Sequence, residues 1–106
     1  MLAGLIAPGT YISNLSGGRK LVTTAGTRVQ LSTSSVPCQG LIIQSLRSNS
    51  GNISIGGEDV SGTLGTENGV ELSPGQTMTL FCKDVSLVWM DSDINSEGIQ
   101  YLILHG

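Results

Sequence analysis

The chain has 106 residues, 39% of them hydrophobic and only 12% charged, with 15 glycines and a net charge of −3. That length suits one domain with one modest core, and the composition excludes a disordered chain, which carries more charge and less Val, Ile and Leu. The basic residues Arg19, Lys20, Arg28, Arg47 and Lys83 are scattered, so no basic patch able to displace counterions from phosphate is expected, and no nucleic-acid partner.

Residues 1–20 differ from the rest. They open on Met1-Leu2-Ala3-Gly4-Leu5-Ile6-Ala7-Pro8, an apolar run far below the ~18 residues of a membrane span. It lacks the basic start of a secretory signal and is interrupted by Pro8. It reads as part of the mature protein, made in a cytoplasm, and no membrane partner is expected. Pro8-Gly9 and Ser16-Gly17-Gly18 mark residues 1–20 as an arm leading into a domain at 21–106. The apolar arm residues Leu2, Leu5, Ile6, Tyr11 and Ile12 need a partner surface, on this domain or on a neighbouring subunit.

The rest of the chain reads as strands, because Gly, Ser, Thr and Asn punctuate short alternating or β-branched runs. Leu21 to Leu31 comes first, with a turn or bulge at Ala25-Gly26. Leu41 to Arg47 is a strong strand whose Leu41-Ile42-Ile43 run lacks alternation, which predicts cover on both faces. Ser48-Asn49-Ser50-Gly51 is a turn, and Ile53 and Ile55 define a short strand ended by Gly56-Gly57. A polar loop spans residues 61–69. Val70-Glu71-Leu72 is a brief strand, followed by the turn Ser73-Pro74-Gly75-Gln76.

Thr77 to Cys82 alternates cleanly, with Met78, Leu80 and Cys82 on one face. Lys83-Asp84 lacks the glycine of a two-residue hairpin, so the chain is expected to cross between sheets there. Val85 to Met90 reads as a strand with Val85, Leu87 and Trp89 on one face, and Ile99 to Leu104 as the last. These elements predict an all-β fold, an antiparallel β-sandwich, jelly-roll-like because its connections cross between sheets as often as they form hairpins, with an N-terminal arm.

The chemistry-bearing residues are few. Asp91-Ser92-Asp93-Ile94-Asn95-Ser96-Glu97-Gly98 has oxygen-bearing side chains at alternate positions, as a calcium loop does. An EF-hand needs Gly at position 6 and an acid at position 12, where this chain has Ser96 and Leu102. The expectation is a solvated turn, and no metal. His105 is the only histidine and is penultimate, a poor place for catalysis, since termini fray.

Gly62-Thr63-Leu64-Gly65-Thr66 lacks the ending of a phosphate loop. Asn52-Ile53-Ser54 matches a glycosylation sequon that a cytoplasmic product does not use. Glu58, Asp59, Glu67 and Glu71 could supply a glycosidase pair, but they read as exposed loop charges. Cys38 and Cys82 have no CxxC spacing, and zinc is not expected. They read as buried core thiols, a bridge between them being geometrically possible. Trp89 and Tyr101 read as core, and Tyr11 as an intersubunit contact. No catalytic residue and no cofactor are predicted.

Several stretches carry a resemblance. Leu21-Val22-Thr23-Thr24-Ala25-Gly26-Thr27-Arg28-Val29-Gln30-Leu31, Val36-Pro37-Cys38, Gly51-Asn52-Ile53-Ser54-Ile55-Gly56-Gly57 and Gly69-Val70-Glu71-Leu72-Ser73-Pro74-Gly75-Gln76 resemble small structural proteins of tailed bacteriophages. Leu87-Val88-Trp89-Met90-Asp91-Ser92-Asp93-Ile94, Glu97-Gly98-Ile99 and Tyr101-Leu102 are similar to the closing strands of that group. Together they cover roughly residues 20–104, and residues 1–20 lie outside the resemblance.

The resemblance implies a virion component, first a capsid decoration (cement) protein and otherwise a neck, tail or fibre-attachment adaptor. Its implied partners are the major capsid or other virion proteins. A homo-oligomer is expected, with a trimer favoured, to cover strand edges. A carbohydrate-binding module is the reading from another class, and it requires an exposed Trp89 or Tyr101.

Overall fold

The computed structural model describes residues 11–106. Eight strands follow in chain order: β1 (Asn14–Val22), β2 (Val29–Gln30), β3 (Gly40–Ser45), β4 (Ile53–Gly56), β5 (Val70–Leu72), β6 (Thr77–Leu80), β7 (Trp89–Ser92) and β8 (Glu97–His105). They form two four-stranded sheets, in the orders β1-β8-β3-β6 and β2-β7-β4-β5. All pairings are antiparallel. The expected all-β antiparallel sandwich is what the chain forms.

The pairings nest. β4 pairs with β5, β3 with β6, β2 with β7 and β1 with β8. The chain therefore behaves as one long hairpin whose successive strand pairs alternate between sheets. Only the β4–β5 connection stays within one sheet. The expected crossing at Lys83-Asp84 occurs there, between β6 of the first sheet and β7 of the second.

Side-chain alternation explains why these segments close on one another. Leu41 and Ile43 of β3, Ile99 of β8, Ile53 of β4 and Met90 of β7 are fully buried, with Val22, Val85 and Leu72, in one cluster between the sheets. Met78, Leu80 and Cys82 pack against it on the same face, as their spacing predicts. The turn Ser73-Pro74-Gly75-Gln76 is closed by Gln76 N–H donating to the Ser73 carbonyl at 2.9 Å, with Gly75 at φ +81°. That is a type II turn, in which proline fixes the second position and only glycine sits easily at the third.

A buried hydrogen-bond hub joins the first sheet to the turn after β3. Asn49 donates through Nδ2 to Ser45 Oγ at 2.9 Å and to the Gly98 carbonyl at 2.8 Å, and Gly98 N–H donates back to Asn49 Oδ1 at 3.3 Å. Asn49→Ala leaves buried polar groups without this partner, so a loss of about 1–3 kcal/mol is expected. A urea melt checks it: the midpoint falls while the slope is unchanged.

Three expectations are corrected. The boundary at residue 20 falls inside β1, which starts at Asn14 and pairs with β8 along its whole length, from Asn14 opposite His105 to Val22 opposite Glu97. Residues 14–20 are thus sheet, held by long-range pairing to a strand at the other end of the chain. Leu2, Leu5 and Ile6 lie outside the described residues, while Tyr11 and Ile12 are 59% and 43% exposed.

Val85–Leu87 is a 3-10 turn rather than a strand. The Asp84 carboxylate accepts from Ser86 N–H and Oγ and so caps the turn. Val85 is buried while Leu87 is exposed. Finally, among the described residues Ile42 lacks the cover predicted for both faces of β3 and is 38% exposed.

Candidate functional site

The outward faces of the two sheets differ. On the second sheet, Ser54 pairs with Asp91 and both are buried although they point away from the core. The β4–β5 loop lies over them. Its Gly62 N–H donates to Asp91 Oδ2 at 2.8 Å, Ser92 N–H donates to Asp91 Oδ1 at 2.8 Å, and Val60 is fully buried beneath it. Asp91 is therefore a buried residue of the sheet and not a solvated turn residue. It ties a loop to the sheet, and this corrects the expectation of a solvated turn. The exposed turn is shorter, residues 93–96.

Glu97 closes that region from the other side. It accepts from Ser50 N–H at 2.6 Å, Ser50 Oγ at 2.9 Å and Gly51 N–H at 2.9 Å. Partial burial opposes ionisation, but these donors outweigh it and hold the carboxyl below its ordinary range. Among the described residues, no group of three or more His, Cys, Asp and Glu side chains is placed to hold a metal ion.

The outward face of the first sheet has no such cover among the described residues. Register places Gly17, Leu102, Ile42 and Thr79 in one cross-strand row. The next row holds Leu15, Leu104 and Gly40. Phe81, 80% exposed, continues it: a side chain at Gly40 would lie 3.3 Å from Phe81 Cδ1. On the other side runs a polar row of Arg19, Gln100, Gln44 and Thr77, in which Gln100 donates to Gln44.

The face is thus apolar at one end and amide-rich at the other. A shallow depression of about 380 Å³ spans Gly17, Ile42, Gln100 and Leu102. A second, of about 600 Å³, lies between Ile12, Leu15 and Leu104.

The aromatic expectations divide. Tyr101 packs against the core. Trp89 is half-buried and points outward from the second sheet, since its neighbours Gln30 and Gly56 lie opposite the inward Val29 and Ile55 positions. It lines a depression of about 370 Å³ with Gln30, Glu58, Ser86 and Leu87. The reading of Trp89 as core is corrected. Cys38 and Cys82 are half-buried free thiols rather than fully buried ones.

His105 receives or donates one hydrogen bond to Ser16 Oγ at 2.6 Å, between β8 and β1. Glu58, Asp59, Glu67 and Glu71 are exposed, as expected of loop charges. Glu67 accepts from Gly65 N–H and Glu71 from Asn52 Nδ2.

Asp84 carries the strongest carboxylate cradle. The Ser35 hydroxyl donates to it first, followed by the N–H groups of Ser86 and Val36 and the Ser86 hydroxyl, and together they hold its carboxyl far below the ordinary range. A carboxyl lowered on folding stabilises the native state above its unfolded value, about 3.9, and that contribution fades as pH falls through and below it. Thermal melts from pH 7 to pH 2 are expected to fall steeply below about pH 4. Asp84→Asn is expected to melt lower at neutral pH and to show a shallower acid limb. An acid limb identical to that of the parent protein counts against the cradle.

The fold defines a class: a two-sheet antiparallel sandwich with one outer face partly covered by its own β4–β5 loop and one that is, among the described residues, uncovered and partly apolar. Comparison with protein-family models, with curated proteins and with solved structures finds no match.

That this face lacks cover among the described residues was missed in the sequence. Its signal is the unalternating Leu41-Ile42-Ile43 run, which demands apolar cover on both sides of β3.

Proposed function

We propose that the protein is a structural component of a tailed-phage virion, a capsid decoration protein that works by contact between protein surfaces. The observation that carries this reading is the outer face of the first sheet, which no described residue covers. Ile42, Leu102, Leu104, Leu15 and Phe81 form an apolar surface there, with Ile12 beside Leu15 and Leu104. A surface of this kind is stabilised when a partner removes it from water. Repeated over many copies, even a modest contact of this type holds a shell together through multivalency.

The nested pairing supports the same reading. We read it as jelly-roll-like wiring, an architecture used by viral capsid and lectin domains among others. Architecture alone does not assign the role, so copy number is the test. Hundreds of copies on the head of purified particles support decoration, whereas a dozen or fewer move the protein to the neck, tail or a fibre attachment.

The N-terminal segment gives a second check. Deleting residues 1–12 leaves β1 entire, so the melting temperature is expected to stay within a few degrees, at about 4–8 °C per kcal/mol for a domain of this size. Incorporation into particles or oligomers is expected to weaken. Unfolding of the truncated chain would place the segment in the core instead.

The outward, half-buried Trp89 favours one further reading, a carbohydrate-binding module. An indole flanked by Gln30 and Glu58 offers a stacking plane with hydrogen-bonding groups beside it. A glycan array combined with Trp fluorescence separates the two: sugar-dependent quenching supports the module, and silence on both leaves the adhesive role.

A further inference from the structure

Cys38 precedes β3 and Cys82 follows β6, at the point where both neighbouring strands leave the first sheet. The two segments remain paired beyond the strand ends. Cys38 N–H donates to the Lys83 carbonyl at 3.0 Å, and Pro37 bridges Asp84. The Cys38 thiol donates to the Cys82 carbonyl at 3.3 Å, and the two sulfurs are 4.0 Å apart. Both side chains pack against the core yet keep part of their surface in solvent, and both are free thiols.

We propose that Cys38 and Cys82 form a redox-modification site, open in a reducing cytosol and closed by a disulfide-class oxidant into an intramolecular staple between β3 and β6. The geometry needs little change. A disulfide joins sulfurs at about 2.05 Å and spans Cα atoms about 4.4–6.8 Å apart. Cys38 faces Lys83, the residue after Cys82, and its thiol already reaches across to Cys82, so with the sulfurs 4.0 Å apart an approach of about 2 Å closes the bond.

The step balances with oxidised glutathione as the co-reactant. One cysteine thiolate attacks a glutathione sulfur, forming a mixed disulfide and releasing one glutathione thiolate. The second cysteine thiolate then attacks the protein sulfur of that mixed disulfide and expels the other glutathione. The two protons lost by the cysteines end on the two glutathione thiols, and the two electrons reduce the glutathione disulfide.

Burial, followed by the neighbouring Cys82 and then Asp84, pushes the Cys38 thiol up to about 11. Only a small fraction is thiolate at neutral pH, so closure is slow and the open form persists through synthesis. The compartments differ in the same direction: thiols stay reduced in a cytosol and bridges persist outside it. The inference stands on the sulfur pair alone and does not depend on the proposed function.

The staple closes a loop between positions 44 residues apart. Loop closure on that scale is expected to raise the melting temperature by on the order of 10 °C. The test incubates the purified full-length chain with oxidised glutathione. The expected product is a monomer 2 Da lighter, with no titratable thiol and a Cys38–Cys82 cross-linked peptide. Its melting temperature is higher, and dithiothreitol reverses the change. Cys38→Ser and Cys82→Ser are each expected to take up one glutathione with no rise. Two glutathione adducts per chain, or cross-linked dimers in place of the internal bridge, overturn the proposal. A bridge that leaves the melting temperature unchanged overturns the staple.

Discussion

Gly98→Ala is expected to lower the stability of the sandwich by about 3 kcal/mol or more, a penalty at the upper end of those for overpacking. Gly98 is buried in β8 opposite Leu21 of β1. A methyl group there overlaps the Lys20 carbonyl and lies 2.7 Å from Leu21 Cα. Both obstacles are backbone, so no rotamer change relieves them. Relief requires β1 to move away from β8, which disrupts the pairing that holds β1 in the sheet. The same residue anchors the Asn49 hub through its N–H and carbonyl. Gly17→Ala is the control, because its methyl meets only the Tyr101 carbonyl at 3.7 Å, an ordinary contact. It is expected to stay within about 1 kcal/mol of the parent protein. Chemical denaturation of the two variants side by side reads the difference, and equal stabilities contradict the close approach of β1 and β8.

The second large effect concerns binding. The double variant Ile42→Lys, Leu102→Lys is expected to fold with a stability within about 1 kcal/mol of the parent, because both side chains retain solvent contact and face away from the core. Its attachment to particles is expected to fall by about 100-fold or more. Burying two such side chains contributes roughly 1.5–3 kcal/mol each, and 1.4 kcal/mol is tenfold in affinity. Placing two ammonium groups on the surface adds a desolvation penalty to that loss. Thermal melts combined with co-sedimentation of particles measure both quantities. Undiminished attachment of a folded variant removes the outer face of the first sheet from the interface.

Much of the architecture is legible in local chemistry. The Pro74-Gly75 pair dictates its turn, and the alternation of Met78 and Leu80 fixes the inward face of β6. The absence of a hairpin glycine at Lys83-Asp84 marks the crossing between sheets. What escapes local reading depends on partners distant in sequence. Asn14, Ser16 and Gly18 face inward on β1, and their polar or small side chains give no apolar period. Pairing with β8 makes them a strand. Asp91 lies in a stretch rich in turn-formers, and its burial follows from the β4–β5 loop that folds over it. Asp84 and Ser86 spell a capped turn, which the apolar Val85, Leu87 and Val88 obscure.

The candidate face follows the same logic. Leu41-Ile42-Ile43 is readable as a strand covered on both sides. That one cover is the chain's own core, and that the other is absent among the described residues, emerges only when the second sheet is in place. Among the described residues Ile42 is therefore where the sequence pattern and the folded chain disagree, and in the proposed reading a partner surface reconciles them.

The most direct measurement of the adhesive account is an image of purified phage particles at a resolution that places this fold on the surface. The account predicts many copies on the head, with Ile42, Leu102 and Phe81 turned against the neighbouring protein and the β4–β5 loop toward solvent. Particles that lack the protein, or copies whose first sheet faces open solvent, contradict it.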